Sequence, residues 1–312
     1  MPKSKSRTLF YRRVDWVNGK GDSLEKYLSK AHNSLNTTSD RTFQHSDGEI
    51  QGLAIQHGDS GILVHLAFYT PKQHSSLVPV PSKAKSKNTS SIAPPEKHNY
   101  LDGDIFFLVK GNHIVLCPSG ARESVALSYI NQVLRKQAPE NVVTRYSIEP
   151  VAKIDKVKLL QQEGVKKIAL NSSLYEATMA YTERTTTKMS LLNSVAEEFL
   201  GLFKKDSDKE LQNLGEMENL SVKLEISFDS RKKDGELGRQ RLQETANMLI
   251  SDEEDQGFTI ITGGDNRLTA DEIRISDKVS LTPHGNSVSR QSAFEALKIY
   301  MQDLYEAGVL EQ

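Results

Sequence analysis

The sequence predicts an α+β fold: two domains of mixed strands and helices, with antiparallel sheets flanked by helices. Three observations carry this. Segments rich in β-branched and aromatic residues recur along the chain. Segments with helical apolar spacing lie among them without strict strand–helix–strand repetition, which argues against a doubly wound parallel sheet. A length of 312 residues, with no internal repeat, suggests about two domains.

The elements follow in order. Arg7–Val17 reads as a strand. Asn18-Gly19-Lys20-Gly21-Asp22 is a turn, and Ser23 stands where a helix N-cap belongs. Leu24, Tyr27, Leu28, Ala31 and Leu35 then form one apolar face at helical period. Asp47-Gly48 and Gly58-Asp59-Ser60-Gly61 are turns between short strands, and Ile62–Tyr69 is the clearest strand. From Lys72 to His98 the pattern stops, because Pro, Ser and Lys leave too little apolar surface to offset the entropy of ordering. The expected organisation is therefore an N-terminal α+β domain over 1–71, a flexible linker or loop over 72–98, and a central and C-terminal α+β region over 99–312 that holds dimerisation helices.

Ile105–Val109 and His113–Cys117 are strands joined by the hairpin turn Lys110-Gly111-Asn112. Ala121–Lys136 is a helix with Val125, Ile130, Val133 and Leu134 inward, and Val142–Val151 is a strand. Asp155 is placed to cap a short helix ending at Gly164, and Lys166–Tyr175 is a strand. An amphipathic helix starts at Ser190 and carries Leu191, Leu192, Val195, Phe199, Leu202 and Phe203 on one face. Leu220–Phe228 alternates as a half-buried strand, and Glu236–Ile250 is a helix. Phe258–Thr262 and Glu272–Ile275 read as strands around Gly263-Gly264-Asp265-Asn266, and Ser292–Glu306 is a closing helix.

Composition narrows the function. Charged residues make up 26% and hydrophobic residues 37%, a globular balance. A single cysteine, Cys117, makes neither an intramolecular disulfide nor a Cys-based zinc site, which fits a reducing compartment. With no signal peptide at the N-terminus and no apolar run of membrane-spanning length, the expected location is the cytoplasm. The net charge of −1 is not that of a dedicated nucleic-acid module, so any DNA contact must use a local patch.

The candidate catalytic motifs fail on their own chemistry. Gly19-Lys20 lacks the earlier glycine and the following Ser or Thr of a phosphate loop, since Val14 and Gly21 stand there. Ser23-Leu24-Glu25-Lys26 has the Ser-x-x-Lys spacing but none of its partner motifs, so Ser23 reads as a cap. No histidine pair has metalloenzyme spacing, although His57 and His65 lie on neighbouring expected strands. Asp102, Asp104, Glu225 and Asp229, with Lys110 and Lys232 near them, would serve a metal-dependent nuclease if they converged on Mg²⁺. The expectation is a non-enzymatic binding protein with no cofactor and no metal site. The basic residues Arg231-Lys232-Lys233, Arg239 and Arg241 cluster around the start of the helix at Glu236, where the helix dipole also favours phosphate.

Several stretches taken together carry a family resemblance. These are Phe10-Tyr11 in a first strand, the Gly19-Lys20 turn, the Leu24/Leu28 helix and the hairpin Ile105-Phe106-Phe107-Leu108-Val109-Lys110-Gly111-Asn112-His113-Ile114. Tyr146-Ser147-Ile148-Glu149-Pro150, the alternating strand at 220–228 with its basic run, and the long final helix complete the set. In these the chain resembles the Rex exclusion protein A (RexA) family of lambda-type temperate phages, whose architecture is similar to that of the recombination-associated protein RdgC. The resemblance implies a two-domain homodimer that binds double-stranded DNA without sequence preference and acts in phage exclusion. It also implies a membrane partner protein; a phage protein as trigger belongs to the protein-sensing alternative below. Where the family has a basic strand in its C-terminal third, this chain reads Thr259-Ile260-Ile261-Thr262-Gly263-Gly264, with Arg267 as the nearest cation and Arg274 beyond. The expected DNA-contacting residues are therefore Arg231, Lys232, Lys233, Arg239, Arg241 and Arg267. Two other functions fit the composition: a protein-sensing subunit of an antiphage defence system, with the helix at 190–203 as an interface, and a metal-dependent nuclease.

Overall fold

The computed structural model describes residues 4–17, 22–46, 48–83, 85–137, 146–173, 221–227, 236–251 and 258–311. The helix expected from Ser190 lies outside them. The chain is α+β, and every strand pair whose register is resolved is antiparallel.

In β1 (Lys5–Trp16) the side chains alternate. Leu9 and Tyr11 are buried on one face, and Val14 lies with Phe10 and Trp16 on the other. Ser23 caps α1 (Leu24–His32) by accepting from the Lys26 amide, as its position in sequence predicts. Next come β2 (Thr42–His45), β3 (Gly48–Gly58) and β4 (Gly61–Tyr69). A short hairpin of β5 (Ser75–Leu77) and β6 (Ser90–Ile92) stands within the Pro/Ser/Lys segment.

β7 (Gly103–Lys110) and β8 (His113–Ser119) form the expected hairpin, with Gly111 at φ 60° in the turn. The Asn112 side chain beside it accepts from the Trp16 indole N–H and the Leu24 amide, which fastens the turn to β1 and α1. Then follow α2 (Glu123–Gln137), β9 (Tyr146–Pro150), α3 (Ile154–Glu163), β10 (Val165–Ser173), β11 (Ser221–Ser227), α4 (Glu236–Ser251), β12 (Phe258–Thr262), β13 (Arg267–Thr269) and α5 (Ala270–Ile273). The chain closes with β14 (Ser276–Leu281), β15 (Pro283–His284), β16 (Ser287–Val288) and α6 (Arg290–Glu306).

The chain divides into two units, Met1–Glu149 with Ser276–Gln312, and Pro150–Ile275. The boundaries expected at 71 and 99 fall elsewhere than this division. β4 and β7 pair directly over Ile62–Phe68 and Gly103–Val109, so residues 72–98 leave and re-enter one sheet. The C-terminal segment joins the same sheet through β14 on β1.

The first unit is a sheet in the order β14-β1-β8-β7-β4-β3-β2, with β9 also paired to β1. One face packs Ile62, Val64, Leu66, Ile105, Phe107, Val109, Ile114 and Leu116 against Leu24 and Leu28 of α1 and Tyr129, Ile130 and Val133 of α2. The other face lies under α6, with the Phe294 ring edge-on to Phe106. At the end of β7, a Cβ on Gly103 would stand 2.4 Å from the Gly120 backbone, so the two backbones meet where only glycine fits.

Two sequence expectations are corrected here. Glu272–Ile275 is not a strand: Thr269 and Glu272 form a reciprocal capping box that starts α5 at Ala270. Asp155 is not the cap of α3, because Lys153 takes that position and Asp155 sits in the first turn. Among the described residues no helix is long and apolar enough to cross a membrane.

Candidate nucleic-acid interface

α4 forms because Leu242, Ala246, Leu249 and Ile250 recur at helical spacing, and all four are buried. They cover one face of the second unit's sheet, whose order is β11-β10-β12-β13. Register sets Ile226, Ile168, Ile260 and Leu268 in a single row across the four strands on that face. Lys167, Ile261 and Arg267 alternate with them and so belong to the opposite face.

This arrangement sorts the predicted cations. Arg239 and Arg241 are exposed near the N-terminal end of α4; Arg241 lies off the buried stripe, and Arg239 stands one turn ahead of Leu242 at the stripe's exposed end. Here the helix dipole adds positive potential to theirs. Glu236 and Glu244 are exposed on the same helix, and Glu244 accepts from Gln240 at 3.2 Å. Arg231, Lys232 and Lys233 lie outside the described residues, directly ahead of α4 in the chain. Arg267 is exposed on β13 but on the sheet face that α4 does not cover, so it shares no surface with Arg239 and Arg241. Arg274 is no surface cation. It is 3% exposed, its guanidinium reaches the Leu249 carbonyl at 3.5 Å, and it lies over the Phe258 ring.

The loop Gly263-Gly264-Asp265-Asn266 is the β12–β13 connection that its turn formers predict, and it is tied down. The Glu163 carboxylate accepts from the Thr262 hydroxyl and from the Asn266 amide at 2.9 and 3.0 Å. These bonds, with the Thr262 contribution largest, hold its carboxyl below the usual range. Lys166 bridges to Asp265.

The candidate catalytic carboxylates have other partners. Asp102 accepts from the amide and hydroxyl of Thr70. Glu225 pairs with Lys167 at 3.0 Å, and Asp229 lies outside the described residues. His57 and His65 do not face each other across β3 and β4, since His57 pairs with Ile62 and His65 with Ala54. Among the described residues no group of three His, Cys, Asp or Glu side chains is placed to hold a metal ion.

Two buried polar groupings in the first unit escaped the sequence reading. Asp104 is 4% exposed and accepts from both the Ser287 hydroxyl and His65 Nε2, the latter at 3.2 Å. Ser119 joins Ser287 at 2.8 Å, and Arg7 Nε donates to Ser119 at 3.1 Å. With Ser287 donating to Asp104, every proton in the chain Arg7–Ser119–Ser287–Asp104–His65 points toward the carboxylate. A nucleophilic triad sets the imidazole between serine and acid; here the acid stands between serine and imidazole. The effect is to fasten β16, at the entrance to α6, to β7 and β8. The signal in sequence was an aspartate directly ahead of the apolar run Ile105–Val109. The second grouping is Arg12, 1% exposed, with Nη2 2.8 Å from Glu123 at the start of α2.

Compared with known proteins, the chain matches no protein-family model and no curated sequence.

Proposed function

We propose that this protein binds double-stranded DNA without reading its sequence and acts, as a homodimer in the cytoplasm, in the exclusion of other phages by a temperate phage or prophage. The observation that carries the binding half is the pair of exposed arginines, Arg239 and Arg241, at the N-terminal end of α4, directly behind Arg231-Lys232-Lys233 in the chain. Guanidinium groups take phosphate in a bidentate fork, and a helix N-terminus favours the same anion. Cations on phosphates position a protein on a duplex but carry no base readout, so sequence independence follows from the chemistry. The exclusion half is supported by the resemblance to the RexA family across the hairpin at 105–114, the strand at 146–150 and the final helix.

The test is an electrophoretic mobility shift with two duplexes of unrelated sequence at ~50 and ~200 mM salt. The reading expects equal shifts on both, weakened steeply by salt. No shift at the lower salt, or a shift on one duplex alone, contradicts it.

A further inference from the structure

The first unit carries a groove of about 720 Å³ between β14 and α6. β14 is the end strand of its sheet, with β1 on one side and no strand on the other among the described residues. Unpaired edges are templates for an added strand. The Lys278 amide has turned to the side chain of its own neighbour, Asp277, at 2.8 Å, a bond that suits an amide with no strand opposite it. The groove's apolar lining includes Val279, Leu281, Ala296 and Ile299, and Ile299 is 55% exposed.

The charge on this groove has one sign. Asp277, Glu295 and Asp303 line it, and its lining holds no lysine or arginine. Lys298 reaches Glu295 from outside the groove, at a loose 3.9 Å. Asp277, Tyr300 and Asp303 line the same groove, and after burial the two carboxylates add to the rise in the phenol's pKa.

We infer that this groove docks an extended segment of another protein that bears lysine or arginine at alternate positions, added as a strand to the free edge of β14. Strand addition supplies main-chain hydrogen bonds, and alternate side chains supply specificity. The incoming cations face α6 and meet Asp277, Asp303 and Glu295. A second copy of this chain is the poorer occupant, because pairing β14 with its own twofold mate brings two acidic grooves together. Nucleic acid is repelled by the same carboxylates.

The test uses a fluorescein-labelled peptide of alternating Lys and Thr, a Glu/Thr control of equal length, and the full chain. Anisotropy is expected to rise with the Lys/Thr peptide and not with the control. The variant Asp277→Asn/Glu295→Gln/Asp303→Asn changes exposed charges alone and is expected to bind about tenfold more weakly, the combined loss of three exposed ion pairs. Hydrogen exchange at Lys278 and Ser280 is expected to slow when the peptide binds. Three results overturn the inference: no Lys/Thr binding, equal binding by the triple variant, or unchanged exchange in β14. A fourth is a wild-type dimer in sedimentation whose β14 amides are already protected, since the edge then belongs to a second copy. Mobility shifts on DNA with the same triple variant keep the two readings apart, because the DNA reading expects no loss of binding there.

Discussion

Breaking the buried pair between Arg12 and Glu123 is expected to destabilise the first unit by about 3–5 kcal/mol. The Arg12 side chain is 1% exposed and Glu123 is 11% exposed, with 2.8 Å between Nη2 and Oε2. Nη2 meets Glu123 as a charge contact outside hydrogen-bond alignment; the guanidinium's hydrogen bond goes from Nη1 to the Tyr11 carbonyl at 3.0 Å, and Nε has none. Glu123→Ala therefore leaves an always-charged group in the apolar layer between β1 and α2 without its counter-ion, and that loss is large beside a domain stability of roughly 5–15 kcal/mol. Arg12→Met combined with Glu123→Leu removes both charges and keeps the volume, so the double variant is expected within about 1 kcal/mol of wild type. Urea unfolding followed by tryptophan fluorescence reports this directly. Trp16 is the single tryptophan of the chain and packs between Tyr27 and Tyr146 in the same unit, with each ring centroid 5.4 Å away. A single substitution costing less than about 1 kcal/mol, or a double as costly as the single, refutes the reasoning.

Three further predictions follow from buried groups. His32 is 5% exposed, and burial first, then His57 and Arg41, lowers its pKa to about 3. The unfolded chain thus binds a proton that the folded chain does not between about pH 6.5 and 3, so stability falls with falling pH, by about 2 kcal/mol between pH 7 and 5. His32→Leu is expected to flatten that slope in paired urea titrations, and an unchanged slope contradicts the assignment. Burial pushes the Cys117 thiol up to about 12, with Arg7 opposing and Asp104 adding to the shift. A thiol reagent such as Ellman's is expected to label Cys117 only after denaturant is added, and full labelling of the native protein within minutes would sink this. Gly103→Ala sets a methyl 2.4 Å from the Gly120 carbonyl carbon, where backbone and not a flexible side chain must yield. A loss of about 1–3 kcal/mol in the same urea assay is expected, and an unaltered midpoint would mean that the two strands separate freely.

Much of the fold was legible because its signals are local. Ser23 caps α1, Gly111 takes the positive φ of its hairpin, and the buried residues of α2 and α4 recur at helical spacing. What was missed depends on distant partners. The pairing of Ile62 with Val109 across the Pro/Ser/Lys segment, and of Lys5 with Leu281 from the other end of the chain, leaves no mark on either local pattern. β14 reads as polar, with Ser276, Asp277, Lys278 and Ser280, because an edge strand need bury little. The face on which each candidate cation stands was not legible in sequence. The burial of Leu268 sets Arg267 on the far side of the sheet, and Leu268 alone in sequence does not reveal which face α4 covers.

The most direct test of DNA binding by the α4 cations is the salt dependence of affinity, measured by anisotropy on a labelled duplex. Five cations on phosphates, Arg231, Lys232, Lys233, Arg239 and Arg241, predict a slope of log Kobs against log salt near roughly −4.5. Arg239→Ala/Arg241→Ala is expected to make the slope shallower by about 1.8, and Arg267→Ala, on the opposite sheet face, to leave it unchanged. A flat salt dependence in the wild type, or a slope that responds to Arg267 and not to Arg239 and Arg241, contradicts the account.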